Sequence, residues 1–153
     1  MQDKGYKTSA DSKQSKVFNE ALANYGNFVA DDFTIAKQAI VGVDANLFYD
    51  MVDITGLNKN VLAEYLDIST KTLERYKDSH KKLNSFRSEI LLKLVTLYKK
   101  GIEIFGDIDA FRRWLNKPSY GLDNSIPAKL MVTSTGVDVI IEELIRIEYG
   151  DLA

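Results

Sequence analysis

The chain has 153 residues, 45% of them hydrophobic and 27% charged, with a formal net charge of −2. That size and balance suit one globular domain able to bury a sizeable core. There is no cysteine, which removes disulfides, thiol nucleophiles and cysteine-based metal sites. The one histidine, His80, excludes a paired-histidine metal motif within a chain. No apolar run approaches the roughly 18 residues of a membrane span. The first 16 residues hold four lysines with no apolar stretch behind them, unlike a secretory signal. These features predict a soluble, cytoplasmic protein with no metal, no cofactor and no membrane partner.

In chain order, residues 1–15 are polar and rich in Lys, Ser and Gln, which predicts a disordered lead-in. Helical spacing then recurs almost without a break. Phe18, Ala21, Leu22 and Tyr25 mark one helix, stopped at Gly26. Phe33, Ala36, Ala39 and Ile40 mark the inward face of a second, up to Gly42. Asp44 is the expected N-cap of a third, with Leu47, Phe48, Met51 and Val52 inward and Gly56 at its end. Asn58 caps a short helix through Leu66, and Ser69 caps another through Lys77.

From Ser85 a long helix turns Leu91, Leu94, Val95, Tyr98, Ile102 and Phe105 inward and ends near Gly106. Asp107 caps the next, which reaches Trp114 and Leu115. Residues 117–124, with Pro118 and Gly121, form a loop. Ser125 and Pro127 open a short helix, and a final one runs from about Gly136 to Tyr149. No alternating strand pattern occurs. The predicted fold is all-α.

Charge is spread unevenly. Residues 57–100 hold ten Lys/Arg against five acids, whereas residues 17–56 hold one lysine against six acids. The last 53 residues hold five basic side chains against nine acids. A basic middle between acidic flanks is a local footprint for a polyanion. Residues 58–77 lie inside it and read as a helix-turn-helix. Ala63 is the small residue that a close helix crossing needs, and Asp67 stands at the turn position usually held by glycine. Leu62, Leu66, Ile68, Leu73 and Tyr76 fall at the buried positions.

In this pattern the second helix presents Ser69, Thr70, Lys71, Thr72 and Arg75 outward to the major groove, and Lys77, Lys81 and Lys82 reach backbone phosphates. The competing reading is an αα-hairpin with a solvated basic face. In the final helix Val137, Ile140, Ile141, Leu144, Ile145 and Ile147 cover an arc of roughly 160°, wide for a helix facing one core. Either that helix is unusually buried or its edge meets a partner.

The order of residues in three stretches is similar to one family. These are Ile68 to Arg75 in the helix-turn-helix, Glu103 to Asp107 closing the long helix, and a carboxy-terminal set. The last comprises Trp114-Leu115-Asn116-Lys117-Pro118, then Leu122, Pro127, Leu130, Gly136 and Arg146-Ile147-Glu148-Tyr149-Gly150. Over about 110 residues, from Ile40 to Gly150, the chain resembles the Xre/MbcA/ParS antitoxins. It departs from their pattern at Asp67 and at residues 122–125, where glycines are usual.

The resemblance implies an antitoxin that occupies a RES-domain toxin, an enzyme similar to ADP-ribosyltransferases and acting on NAD, and represses its own operon. Beyond the lead-in at 1–15, it implies a DNA-binding half at 16–105 and a toxin-binding half at 106–153. The expected partners are the cognate RES-domain toxin, operator DNA and a second copy in a homodimer. Ile141, Glu142, Ile145, Arg146, Glu148, Tyr149, Gly150 and Asp151 are the expected toxin-binding residues. Tyr149 and Arg146 are the expected anchors, Glu142, Glu143 and Glu148 the partners of basic toxin groups, and Trp114 and Pro127 the supporting core.

An enzyme is the contrary reading, but no catalytic residue emerges. No serine has a nucleophile elbow, no phosphate loop is present, and Asp107 and Asp109 lack calcium-loop spacing. His80 reads as an exposed helix-end residue. A helix-turn-helix repressor without a toxin, and a helical adaptor without DNA binding, remain alternatives.

Overall fold

The structure is a computed structural model that describes residues 9–150, and those residues are all-α. The notional lead-in is helical from Ser9 onward, because α1 spans Ser9–Tyr25. Arg112 donates to the Gln14 side chain, tying this part of the chain to a helix almost a hundred residues on. Residues 1–8, also assigned to that lead-in, lie outside the described residues. A short 3-10 turn at Gly26–Val29 leads into α2 (Asp32–Val41), α3 (Asn46–Thr55), α4 (Lys59–Tyr65) and α5 (Thr70–Ser79). Then follow α6 (Ser85–Phe105), α7 (Ile108–Leu115), a 3-10 turn at Tyr120–Leu122, α8 (Pro127–Leu130) and α9 (Ser134–Glu148).

Most boundaries have a local cause. Asp31, Asn58, Ser69, Asn84, Asp107 and Thr133 each accept a backbone N–H from the first turn of the helix that follows. Asp44 does a related job one residue early, accepting from the Asn46 N–H at 2.8 Å. Ser125 caps nothing. The residue before α8 is Ile126, and the helix start rests on Pro127.

The centre of the molecule is α6. Its 21 residues bury Ile90, Leu91, Leu92, Leu94, Val95, Leu97 and Tyr98, which point to several sides rather than to one stripe. A helix apolar around most of its girth must be surrounded, and α1, α2, α3, α7 and α9 all pack against it. One continuous core runs from Phe18 in α1 to Leu144 in α9.

The second helix corrects an expectation. In α2 the buried residues are Ile35 and Ala39, whereas Phe33 is 71% exposed and Ile40 78% exposed, with Ala36 exposed beside them. A ten-residue helix can turn only one stripe onto α6. The Ile35–Ala39 stripe wins, and the apolar residues next to it face outward.

Candidate nucleic-acid and toxin-binding surfaces

The α4–α5 pair is built on Leu62, Leu66 and Leu73, all fully buried, and on Ala63 at 3% exposure. Ala63 has no side chain beyond Cβ, so α5 can approach α4 closely. The chain reverses through Leu66, Asp67 and Ile68, where the Asp67 N–H donates to Glu64 O at 2.9 Å and the Ile68 N–H to Ala63 O at 3.1 Å. Asp67 takes the left-handed conformation expected at the turn, with φ of 51°.

Arg87 at the start of α6 holds that turn. Its Nε donates to Leu66 O at 2.9 Å and its Nη2 to Asp67 O at 2.5 Å. These carbonyls end α4 and have no partner inside the helix, so the guanidinium fork satisfies both. Sequence reasoning missed this role, since Arg87 lies some twenty residues downstream of the carbonyls it serves.

At the start of α5, Ser69 Oγ accepts from the Thr72 N–H at 3.1 Å and donates to Thr72 Oγ1 at 2.8 Å. Lys71 and Arg75 are exposed and one turn apart on one face. Arg75 Nη2 lies 3.5 Å from Thr72 Oγ1. Ser69, Lys71, Thr72 and Arg75 therefore form one polar, cationic patch. Thr70 and Thr72 are both half-buried. Lys77 leaves the patch for the other flank, where its Nζ sits 4.6 Å over the Tyr49 ring.

Lys81 stacks 4.6 Å over the Tyr76 ring, and Lys82 is exposed beyond the helix. His80 ends α5 in the left-handed conformation, φ 55°, and is exposed.

The second surface rests on an aromatic cluster. The Phe111 ring meets Tyr98 edge-on at 5.2 Å and lies 6.1 Å from both Phe105 and Trp114. Trp114 is half-buried and Pro127 buried, as expected of supporting residues. The loop after α7 closes through Ser119 and Ser125, whose backbones pair. Asp123 and Asn124 take positive φ values of 53° and 59°. These are side chains that tolerate the left-handed region, so the loop turns at these two positions without glycine.

Glu143 corrects a second expectation. It is 1% exposed and lies beneath Gly121 of this loop, so it offers nothing to a partner. Its Oε2 accepts from Arg146 Nε at 2.8 Å and Nη2 at 2.6 Å, while Oε1 is buried without a hydrogen-bond partner. A Cβ on Gly121 would stand 1.9 Å from Oε1. Gly136 answers a similar demand, for its Cβ would stand 1.8 Å from the Leu130 carbonyl oxygen.

Along α9, Val137, Ile140 and Leu144 are buried, while Ile141 is half-buried and Ile145 39% exposed. The wide apolar arc thus has a solvent-facing edge. Glu142 is exposed, Glu148 pairs with Lys100 of α6, and Arg146 is committed to Glu143. Tyr149 is 75% exposed at the end of the helix, followed by exposed Gly150. Asp151 lies outside the described residues.

Residues 100–150 match the model of one protein family, described as the antitoxin Xre/MbcA/ParS C-terminal toxin-binding domain. No curated protein matches the chain. Among the described residues no group of three metal-ligating side chains comes together, and no helix is long and apolar enough to cross a membrane.

Proposed function

We propose that this chain, whose residues 100–150 match the model of the Xre/MbcA/ParS C-terminal toxin-binding domain, is the antitoxin of a toxin–antitoxin pair that binds a RES-domain toxin and represses its own operon. The family match over the carboxy-terminal third carries the reading, and it points to a regulatory rather than catalytic protein. The toxin-facing residues are the exposed edge and end of α9: Ile141, Glu142, Ile145, Tyr149 and Gly150. Tyr149 is the anchor, because a large exposed aromatic side chain on a helix end gives area at low entropic cost. Arg146 and Glu148 enter this surface already paired inside the chain, so they shape it more than they donate to it.

The α4–α5 pair supplies the DNA-binding function. Its short polar first turn, Ser69 to Thr72, is the part that enters the major groove, with Lys71 and Arg75 on bases or phosphates. We assign backbone phosphates to Lys77, Lys81 and Lys82, with Lys77 and Lys81 leaving the Tyr49 and Tyr76 rings to reach them. A cytoplasmic setting and a dimer reading two half-sites complete the proposal.

The test is co-expression with the RES-domain protein that the reading places beside this gene. Tagged toxin should retain the chain through size exclusion, and its consumption of NAD should stop. A toxin that runs alone and stays active contradicts the reading.

A further inference from the structure

A groove of about 790 Å³ runs between α2 and α9, with α6 as its floor. Ala36 and Ile40 line one wall, Ile141 and Ile145 the other. The lip on the α2 side continues into Phe33, whose ring carries Lys37 Nζ at 4.9 Å. The rim is acidic on balance: Asp32, Glu89, Asp138 and Glu142 line the groove with one lysine, Lys93, and Lys37 adds a second cation at the Phe33 lip. Lys93 is neutralised within the chain, 2.9 Å from Asp138 and 3.6 Å from Glu89. Asp32 and Glu142 have no ion pair among the described residues.

We propose that this groove receives an amphipathic helix of the toxin, one carrying basic residues beside its apolar stripe. The toxin-binding surface then extends onto α2, well outside the residues matched to the toxin-binding family. The inference rests on the antitoxin reading and adds a second wall to its interface. Two observations select the occupant. The α9 wall belongs to the matched toxin-binding region, so a toxin seated on α9 lies against α2 as well. The acidic rim disfavours a second copy docked groove to groove, since two-fold pairing would bring like charges together. Two apolar walls with a charged rim are the kind of groove that seats an amphipathic helix.

The inference is tested with the full-length chain and purified RES-domain toxin by titration calorimetry. Ile40→Glu and Ala36→Glu alter exposed positions on α2, and their melting curves and DNA affinity should match wild type. Each should weaken toxin binding by about tenfold or more. Asp32→Lys, on the rim, should weaken it too and flatten its salt dependence.

If wild type binds toxin and all three variants bind equally well, the groove proposal is overturned while the antitoxin reading stands. If wild type binds no toxin, the antitoxin reading itself fails and takes the groove with it. Sedimentation velocity on the toxin-free chain covers the rival occupant. A dimer that Ile40→Glu converts to monomer, with toxin affinity unchanged, would assign the groove to a second copy and overturn the proposal.

Discussion

The Arg87 guanidinium donates to the carbonyl oxygen of Asp67 at 2.5 Å, so the first turn of α6 clamps the turn between α4 and α5. The clamp joins the α4–α5 pair to the helix on which the whole core is assembled. It also places a cation at the carbonyl end of α4, where the helix dipole favours one.

Arg87→Ala should therefore act on both stability and DNA binding. Losing charge-assisted bonds to two backbone carbonyls costs about 1.5–3 kcal/mol. Arg87→Lys should recover only part of that, because one ammonium group cannot reproduce the planar fork. Chemical denaturation of the three proteins checks the order. An alanine variant as stable as wild type would show that the turn holds itself.

Asp67 sits at φ 51°, where an L side chain carries strain that glycine lacks. Asp67→Gly should stabilise the fold by about 0.5–1 kcal/mol, net of the added freedom of glycine in the unfolded chain. The melting temperature should rise by roughly 1–4 °C. Arg87 meets the carbonyl of residue 67 and not its side chain, so the clamp survives the change. A lowered melting temperature would contradict the strain argument.

Much of this was legible in the sequence for identifiable reasons. Capping residues such as Asn58, Ser69 and Asp107 act on their own helix, and the turn at Asp67 is likewise local. The burial of Leu62, Leu66 and Leu73 follows from helical spacing alone. What stayed hidden depended on partners distant in sequence. Ile35–Ala39 and Phe33–Ile40 are both apolar stripes of α2, and only the seat of α2 on α6 decides between them. Glu143 reads as surface charge until the loop carrying Gly121 closes over it. Arg87 reads as one more cation in a basic segment until the turn is brought beneath it.

That loop supplies another expectation. Gly121→Ala places a methyl group 1.9 Å from Glu143 Oε1, and Glu143 is held by Arg146 and buried. The forced shift should cost about 1–3 kcal/mol, as overpacking does. Added to Glu143→Ala, which clears the space, Gly121→Ala should cost much less than it does alone. Equal costs in the two backgrounds, measured by a double-mutant cycle, would refute the close packing.

Alkaline pH should destabilise the fold through its tyrosines. Burial pushes Tyr98 up to about 12 against an opposing pull from Arg112, and burial also pushes Tyr25 and Tyr65 up to about 12. A phenol raised in the folded state leaves stability intact below its ordinary value near 10 and erodes it as pH climbs toward 12. The phenolate absorbance of these buried tyrosines should thus appear together with loss of helical circular dichroism in that window. Full phenolate signal near pH 10 from a still-folded chain would contradict it.

DNA binding should carry the signature of phosphate contacts. Affinity should fall with salt on a logarithmic slope of about −0.9 for each phosphate neutralised. Lys71→Ala with Arg75→Ala should weaken binding and make that slope shallower. Anisotropy titrations at several salt concentrations provide the measure, and a slope near zero for wild type would remove the DNA-binding role.

The most direct test of the antitoxin account is growth of cells co-expressing the RES-domain toxin with three forms of this chain. Wild type and the Lys71→Ala, Arg75→Ala variant should both restore growth, since neutralisation does not run through α5. Tyr149→Ala combined with Ile145→Glu should fail to restore it, despite normal helical content by circular dichroism. Full rescue by that last variant, or none by wild type, would contradict the account.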